Sequence, residues 1–260
     1  MALRRLSLTI VVALAAASAR AQVLYDGSAG TTPDAQGWKY VTNPLVGAGA
    51  TNTVTTGGAA LDTTAVRTDQ AGYFSEAPII GKHPLMPTLD RTAGYGVRFD
   101  LHVVSEGHNA DDRNTDGVDD RAGYSIIALS SDLMGVEIAF WPDEVWAYDR
   151  RDIGGGVMEF VHDESSTGFN PDIGLLRYEL LIVGSTYTLT AGGSQVLTGA
   201  LRDYSGEGWP YTTPSFLFLG DDTSAADSLT RLTHVEVIPE PATLLLLAAG
   251  GNALVRRRRA

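Results

Sequence analysis

The densest chemistry in the chain lies in residues 111–120, where five aspartates and one asparagine crowd into ten positions. Counted from Asp112, side-chain oxygens recur at Asp112, Asn114 and Asp116 ahead of Gly117. Calcium loops use this order, because alternate oxygens converge on one hard cation while a glycine permits the sharp turn. An EF-hand loop also needs a bidentate glutamate at its twelfth position, which here is Gly123, and no flanking helix is legible. What stays open is a looser calcium (Ca2+) loop completed by Asp119 or Asp120, against a solvated acidic connection balanced by Arg113 and Arg121. Further along, Gly220-Asp221-Asp222-Thr223 offers either a second carboxylate cluster for the same rim or a plain Asx turn.

Other catalytic signatures are weak. Retaining glycoside hydrolysis needs two carboxyls about 5 Å apart, and the chain has no Glu-x-Asp-x-Glu strand to hold them. Glu137 and Glu144 flank one hairpin, and Glu159, Asp163 and Glu164 crowd another strand end, but neither set alternates. The histidines at 83, 102, 108, 162 and 234 form no His-Glu-x-x-His pair, and no serine occupies a Gly-x-Ser-x-Gly elbow. No catalytic residue is assigned. Trp141, Trp146 and Tyr148 bracket a hairpin, where they serve either as contacts for the apolar face of a sugar or as core filling.

These residues need strands to position them. Apolar side chains alternate with a period of two over many short runs, the pattern of half-buried strands. Tyr95, Val97, Phe99, Leu101 and Val103 share one face, opposite Arg98, Asp100 and His102. Similar runs cover 124–129, 136–141, 144–148, 157–161, 178–183, 186–190, 216–219 and 232–237. Pro142-Asp143, Gly184-Ser185 and Gly192-Gly193 supply the turns of successive hairpins, the second fitting type II′ with glycine first. Residues 47–58, rich in Thr, Ala and Gly, read as edge strands or as surface loop. The whole predicts an all-β antiparallel sandwich of the jelly-roll kind, without an internal domain boundary.

The two ends have a different character. Arg4 and Arg5 precede an apolar stretch at 6–17, and Ala19-Arg20-Ala21 supplies small residues before Gln22, the layout of a secretory signal peptide for signal peptidase. At the other end Pro239-Glu240-Pro241 precedes an apolar run at 242–255 and then Arg256, Arg257, Arg258 and Arg259. That run would reach about 21 Å as a helix, short of a bilayer core of about 30 Å, so it suits a transient handle better than a permanent anchor. The tail resembles a PEP-CTERM sorting signal. The resemblance implies an exosortase-type membrane processing enzyme as partner, and delivery to the cell surface or extracellular matrix. The expected division is a leader at 1–21, a sandwich at 22–236 and a sorting segment at 237–260, with a short helix in each end segment.

With three arginines in the leader and four in the tail set aside, twelve Lys and Arg face all 31 Asp and Glu in residues 22–240, a formal charge of −19. Such a surface repels nucleic acid and anionic lipid. The absence of cysteine excludes disulfides and thiolate chemistry. The runs Arg121-Ala122-Gly123-Tyr124 and Phe140-Trp141 resemble the choice-of-anchor bodies, and Tyr187-Thr188-Leu189, Leu197-Thr198-Gly199 and Phe218-Leu219-Gly220-Asp221-Asp222 resemble the Y-type member of that set, which implies a concanavalin-like or laminin-G-like jelly roll and no established activity. The expectation is therefore an exported, non-catalytic sandwich that binds an envelope or matrix polysaccharide. The alternatives are a glycoside hydrolase on the same fold, or an ice- or surface-adsorbing protein with threonines at 51, 53 and 55 and at 186, 188 and 190 on strand faces.

Overall fold

The alternation over residues 95–103 belongs to one long strand in the computed structural model, which describes residues 21–43, 49–166 and 168–239. In chain order the strands begin with β1 (Gln22–Asp26), β2 (Lys39–Thr42), β3 (Thr51–Thr55), β4 (Gly58–Asp62), β5 (Ala71–Phe74), β6 (Glu76–Ala77) and β7 (Gly81–Lys82). The central group is β8 (Tyr95–His108), β9 (Ser125–Leu129), β10 (Met134–Phe140), β11 (Val145–Asp152) and β12 (Met158–Ser165). The last are β13 (Leu176–Val183), β14 (Thr186–Ala191), β15 (Ser194–Ala200), β16 (Arg202–Asp203), β17 (Phe216–Asp221) and β18 (Ala226–Pro239).

They build two packed antiparallel sheets, as the alternation predicts. Sheet A runs β15-β14-β13-β8-β18-β4-β3, with β1 also on β18. Sheet B runs β12-β11-β10-β9-β17-β5-β2, with β16 on β10. The predicted hairpins are present: Phe140 pairs with Val145 around Pro142-Asp143, and Val183 pairs with Thr186 around Gly184-Ser185. Gly184 has φ 61° while Ser185 is not among the positive-φ residues, as a II′ turn requires. Residues 51–55 form the edge strand β3 of sheet A. Strand β18 carries Pro239 within it, so the last strand extends past the expected boundary at 236. The expected leader helix, the tail helix, and Glu240, Pro241, Arg256, Arg257, Arg258 and Arg259 lie outside the described residues. Among the described residues no helix is long and apolar enough to cross a membrane.

Between the sheets the inward side chains form the main core. From sheet A come Tyr95, Val97, Phe99 and Leu101, and from sheet B Ile126, Val136, Ile138, Phe140 and Leu219. Phe99 stacks on Tyr178 at 5.1 Å, and Phe140 meets Tyr178 edge-on at 5.4 Å. Each fully buried aromatic or aliphatic side chain contributes about 1.5–3 kcal/mol, which holds the sheets in register without any cross-link. Sheet B is also covered on its outer face. Phe74, Ile127, Leu129, Phe216 and Phe218 pack there with Tyr204 and Tyr211, and Ala139, Trp141, Trp146 and Tyr148 pack with Ala122. Two connections make this cover, residues 109–124 and residues 204–215.

Candidate active site

The outer face of sheet B is organised in rows across the strands. Register aligns Phe74, Phe218, Ile127 and Glu137 on β5, β17, β9 and β10. Beside them Gly72, Gly220, Ser125 and Ala139 form a second row of small residues. A side chain is not tolerated at the first two: a Cβ on Gly72 would lie 2.3 Å from the Phe218 ring, and one on Gly220 2.4 Å from the Gly72 Cα. The missing side chains leave a cleft of about 620 Å³, within the usual range of ligand sites, roughly 300–1,000 Å³. Tyr211, Trp209 and Glu207 line one wall, Asn43, Gln70 and Ser224 line another, and Arg113 and Arg121 are also part of the lining.

At this cleft the carboxyls of Glu137 and Asp222 meet and hydrogen-bond to each other. Glu137 comes from the middle of β10 and is 2% exposed. Asp222 is the first residue after β17 and is half-buried. The Tyr211 hydroxyl donates to Glu137 Oε2 at 2.6 Å, and the Ser125 hydroxyl donates to Asp222 Oδ1 at 3.2 Å. Gln70 Nε2 donates to the Asp222 carbonyl at 2.7 Å and fixes that backbone. Burial pushes the Glu137 carboxyl well above the usual carboxylate range, and the negative charge of Asp222 pushes it further. Asp222 is also raised by burial, while its hydrogen bond from Glu137 acts in the opposite direction. The pair therefore shares a proton to a higher pH than two separate carboxyls would. Burial together with Glu137 and Asp222 likewise raises the Tyr148 and Tyr211 phenols, which stay neutral donors.

Apart from Glu137, Asp221 and the two lining arginines, the residues singled out in the sequence fall elsewhere, with two exceptions. Asp112 and Asn114 do come together with Asp116, but to close the loop on itself. Asp112 accepts from the Asp116 and Gly117 amides at 3.1 and 2.8 Å, and Asn114 Nδ2 donates to Asp116 at 2.8 Å. Asp119 turns away to accept from the Asp111 amide, and Asp120 is buried, accepting from the Arg113 and His162 amides at 2.6 Å. Among the described residues no group of three or more His, Cys, Asp or Glu is placed to hold a metal ion. Trp141 and Trp146 are 8% and 0% exposed, so they are core of the outer layer rather than open sugar contacts. The reason is the 109–124 connection: Trp141 Nε1 donates to the Arg121 carbonyl at 2.8 Å, and His108 stacks on the indole at 4.6 Å.

The first exception is Tyr148, which packs with the two tryptophans yet reaches the cleft. The second is Asp222, half of the expected Asp-Asp cluster. Its neighbour Asp221 forms the Asx turn, accepting from the Thr223 amide at 3.1 Å. Of the other acidic residues weighed, Glu144 pairs with His162 at 3.1 Å, and Asp163 and Glu164 pair with Arg202. Glu137 is the residue that sequence reasoning passed over. Its signal was position: a lone charge inside the otherwise apolar run Val136-Glu137-Ile138-Ala139-Phe140.

No family model matches this chain, and no curated protein is similar to it in sequence. Solved structures share its fold. One is a conserved carbohydrate esterase from a Shiga toxin-encoding bacteriophage, phi24B, with TM-score 0.51 and 13% identity, covering 84% of this chain and 98% of that one. A protein of unknown function with a galectin-like fold from Bacillus subtilis matches with TM-score 0.46 and 10% identity over 84% and 96%. Alginate lyase A1-II′ of polysaccharide lyase family 7 matches with TM-score 0.41 and 11% identity over 84% and 92%. The expectation of a non-catalytic body is corrected here. The fold is one on which a carbohydrate esterase is built, and the cleft holds a proton-sharing carboxyl pair.

Proposed function

We propose that the cleft hydrolyses acyl esters carried on a glycan, with Glu137 and Asp222 acting as one acid–base unit. The observation that carries this reading is the direct contact of the two carboxyls in the cleft. Glycosidases keep their carboxyls about 5–5.5 Å or about 6.5–9.5 Å apart, and a hydrogen-bonded pair sits closer than either. A pair that shares one proton does different work, activating a single water and protonating a single carbonyl, as the paired aspartates of aspartic proteases do. Here the Asp222 carboxylate removes a proton from water, the water oxygen bonds to the acyl carbon, and the Glu137 proton passes to the carbonyl oxygen. On collapse that proton returns to Glu137, the bond from the acyl carbon to the sugar oxygen breaks, and the proton on Asp222 goes to the departing sugar. Tyr211 fixes the orientation of Glu137 throughout. The likeness of the fold to a carbohydrate esterase supports a glycan ester as substrate.

The test is acid release from an acetylated polysaccharide. Wild type should release acetate, and Glu137→Gln and Asp222→Asn should each lose it while remaining folded. Unchanged release by both variants would place the chemistry elsewhere.

The ends complete the proposal. Residues 1–21 act as a leader removed by signal peptidase, and the 237–260 segment is sorted by an exosortase-type enzyme, so that the cleft works at the outer surface. The start of β1 at Gln22, directly after the small-x-small site, supports the first cut. Intact mass of the exported protein checks both, and a chain recovered with its two ends unprocessed from the cytoplasm would refute the sorting.

A further inference from the structure

We infer that the cleft takes an uncharged glycan polymer rather than a polyuronate or a free sugar ester, with Trp209 as the platform that holds the chain. This rests on the acid–base reading for the position of the reacting end and adds the class of substrate.

Charge comes first. The acidic groups that line the cleft are Glu137, Asp221, Asp222 and Glu207, and the cations are Arg113 and Arg121. Both arginines are already occupied. Arg113 binds Asp111 and reaches Glu159 at 3.2 Å. Arg121 lies 3.7 Å from Asp111 and 3.6 Å from Glu159, and donates to the Asp120 and Phe160 carbonyls at 2.5 and 2.9 Å. A uronate polymer would bring a row of carboxylates to a negative dyad and find both guanidiniums spent, inside a body whose overall field repels anions. A neutral chain meets no such penalty. The hydroxyls of Thr42 and Ser224 in the lining are the group type that sugar hydroxyls pair with.

Length comes second. The Trp209 indole stacks on Phe74 at 5.1 Å with 14° between the planes, yet is 43% exposed. Phe74 lies in the same cross-strand row as Glu137 but three strands away, about 14 Å at about 4.8 Å per strand. Between them Phe218 and Ile127 are 1% and 0% exposed and form the buried floor of the row. The open Trp209 indole at its far end is the surface that suits the C–H face of a sugar ring. A single acylated sugar at Glu137 would not reach Trp209, and a chain would.

The experiment is affinity electrophoresis of the full chain through gels carrying acetylated xylan, acetylated glucomannan or acetylated alginate, run at low salt with wild type, Glu137→Gln, Trp209→Ala and Trp209→Phe. The expected result is retardation by a neutral polymer, kept in Glu137→Gln, weakened at least tenfold in Trp209→Ala and largely restored in Trp209→Phe, with no retardation by alginate. Retardation by alginate that vanishes with added salt overturns the inference, and so does unchanged neutral binding in Trp209→Ala or the absence of binding to both neutral polymers. Because Glu137→Gln is scored by binding alone, a wild type that binds as expected but releases no acetate defeats only the ester-cleavage reading.

Discussion

The two outer faces of the sandwich obey opposite rules. On sheet A the outer face is wetter: β13 alternates half-buried and buried residues with Arg177 exposed, Arg98 bridges Glu179 and Glu236, and Arg177 holds Asp100 at 2.8 Å. On sheet B every residue of β9 and β17 is buried, on both sides of the strand. A carboxylate on the first face finds a cation. On the second, Glu137 finds a tyrosine, another carboxyl and little solvent, and keeps its proton. Chemistry thus follows the exclusion of water rather than the number of charges. The 111–120 loop has far more carboxylates, but most of those are satisfied by backbone amides.

The sharpest way to break this contrast is to remove the proton from the dry face without changing its shape. Glu137→Gln keeps the volume and an acceptor for Tyr211 but has no acid to give. General acid–base groups contribute roughly 10²–10⁴-fold, so turnover of an acetylated polysaccharide should fall by that factor, with thermal stability kept or raised. A loss smaller than about tenfold would mean that the proton comes from elsewhere. Next in size is Phe218→Ala. Phe218 faces outward on its sheet but is 1% exposed and packs on Phe74 at 4.6 Å. It should behave as core and cost about 3–5 kcal/mol in urea unfolding. A cost under about 1 kcal/mol would mean that the covering connections are loose and the face is wet after all.

How far the sequence revealed this depends on which face is considered. Sheet A was legible because water on one side forces alternation, as at Arg98, Asp100 and His102 opposite Val97, Phe99 and Leu101. The hairpins at Pro142-Asp143 and Gly184-Ser185 were legible because turn geometry demands those residues locally. The active face was not, because its meaning is set by contacts far apart in the chain. Glu137 and Asp222 are 85 positions apart, and Tyr211 reaches Glu137 from 74 residues away. Whether Trp141 and Trp146 were sugar contacts or core could not be read from the sequence, because the connection that buries them has no regular pattern of its own. Trp209, in an irregular Gly-Trp-Pro stretch, offered no periodicity to read.

The pH dependence of stability sharpens the comparison further. Glu137 has a folded-state pKa above its unfolded value, so it binds more protons folded than unfolded. Its favourable contribution is complete below the unfolded value of about 4.3 and is lost as pH rises towards the folded pKa, by about 1.4 kcal/mol for each pH unit between the two values. Wild type should therefore lose stability relative to Glu137→Gln as pH is raised above about 4. Parallel stability curves for the two proteins would mean that Glu137 ionises freely.

The smallest effect is expected on the wet face, and its smallness is the point. Arg177 makes two hydrogen bonds to Asp100, both at 2.8 Å, a bidentate geometry that on inspection looks strong. Yet the Arg177 side chain is 60% exposed. Water competes for both partners, salt screens them, and the ordering of a long side chain offsets much of the attraction. Arg177→Ala should then cost no more than about 1 kcal/mol in urea unfolding, with the difference shrinking in high salt. A cost near that of Phe218→Ala, insensitive to salt, would mean that the outer face of sheet A is also shielded, and the division between a wet face and a dry one would no longer explain why burial raises the Glu137 carboxyl.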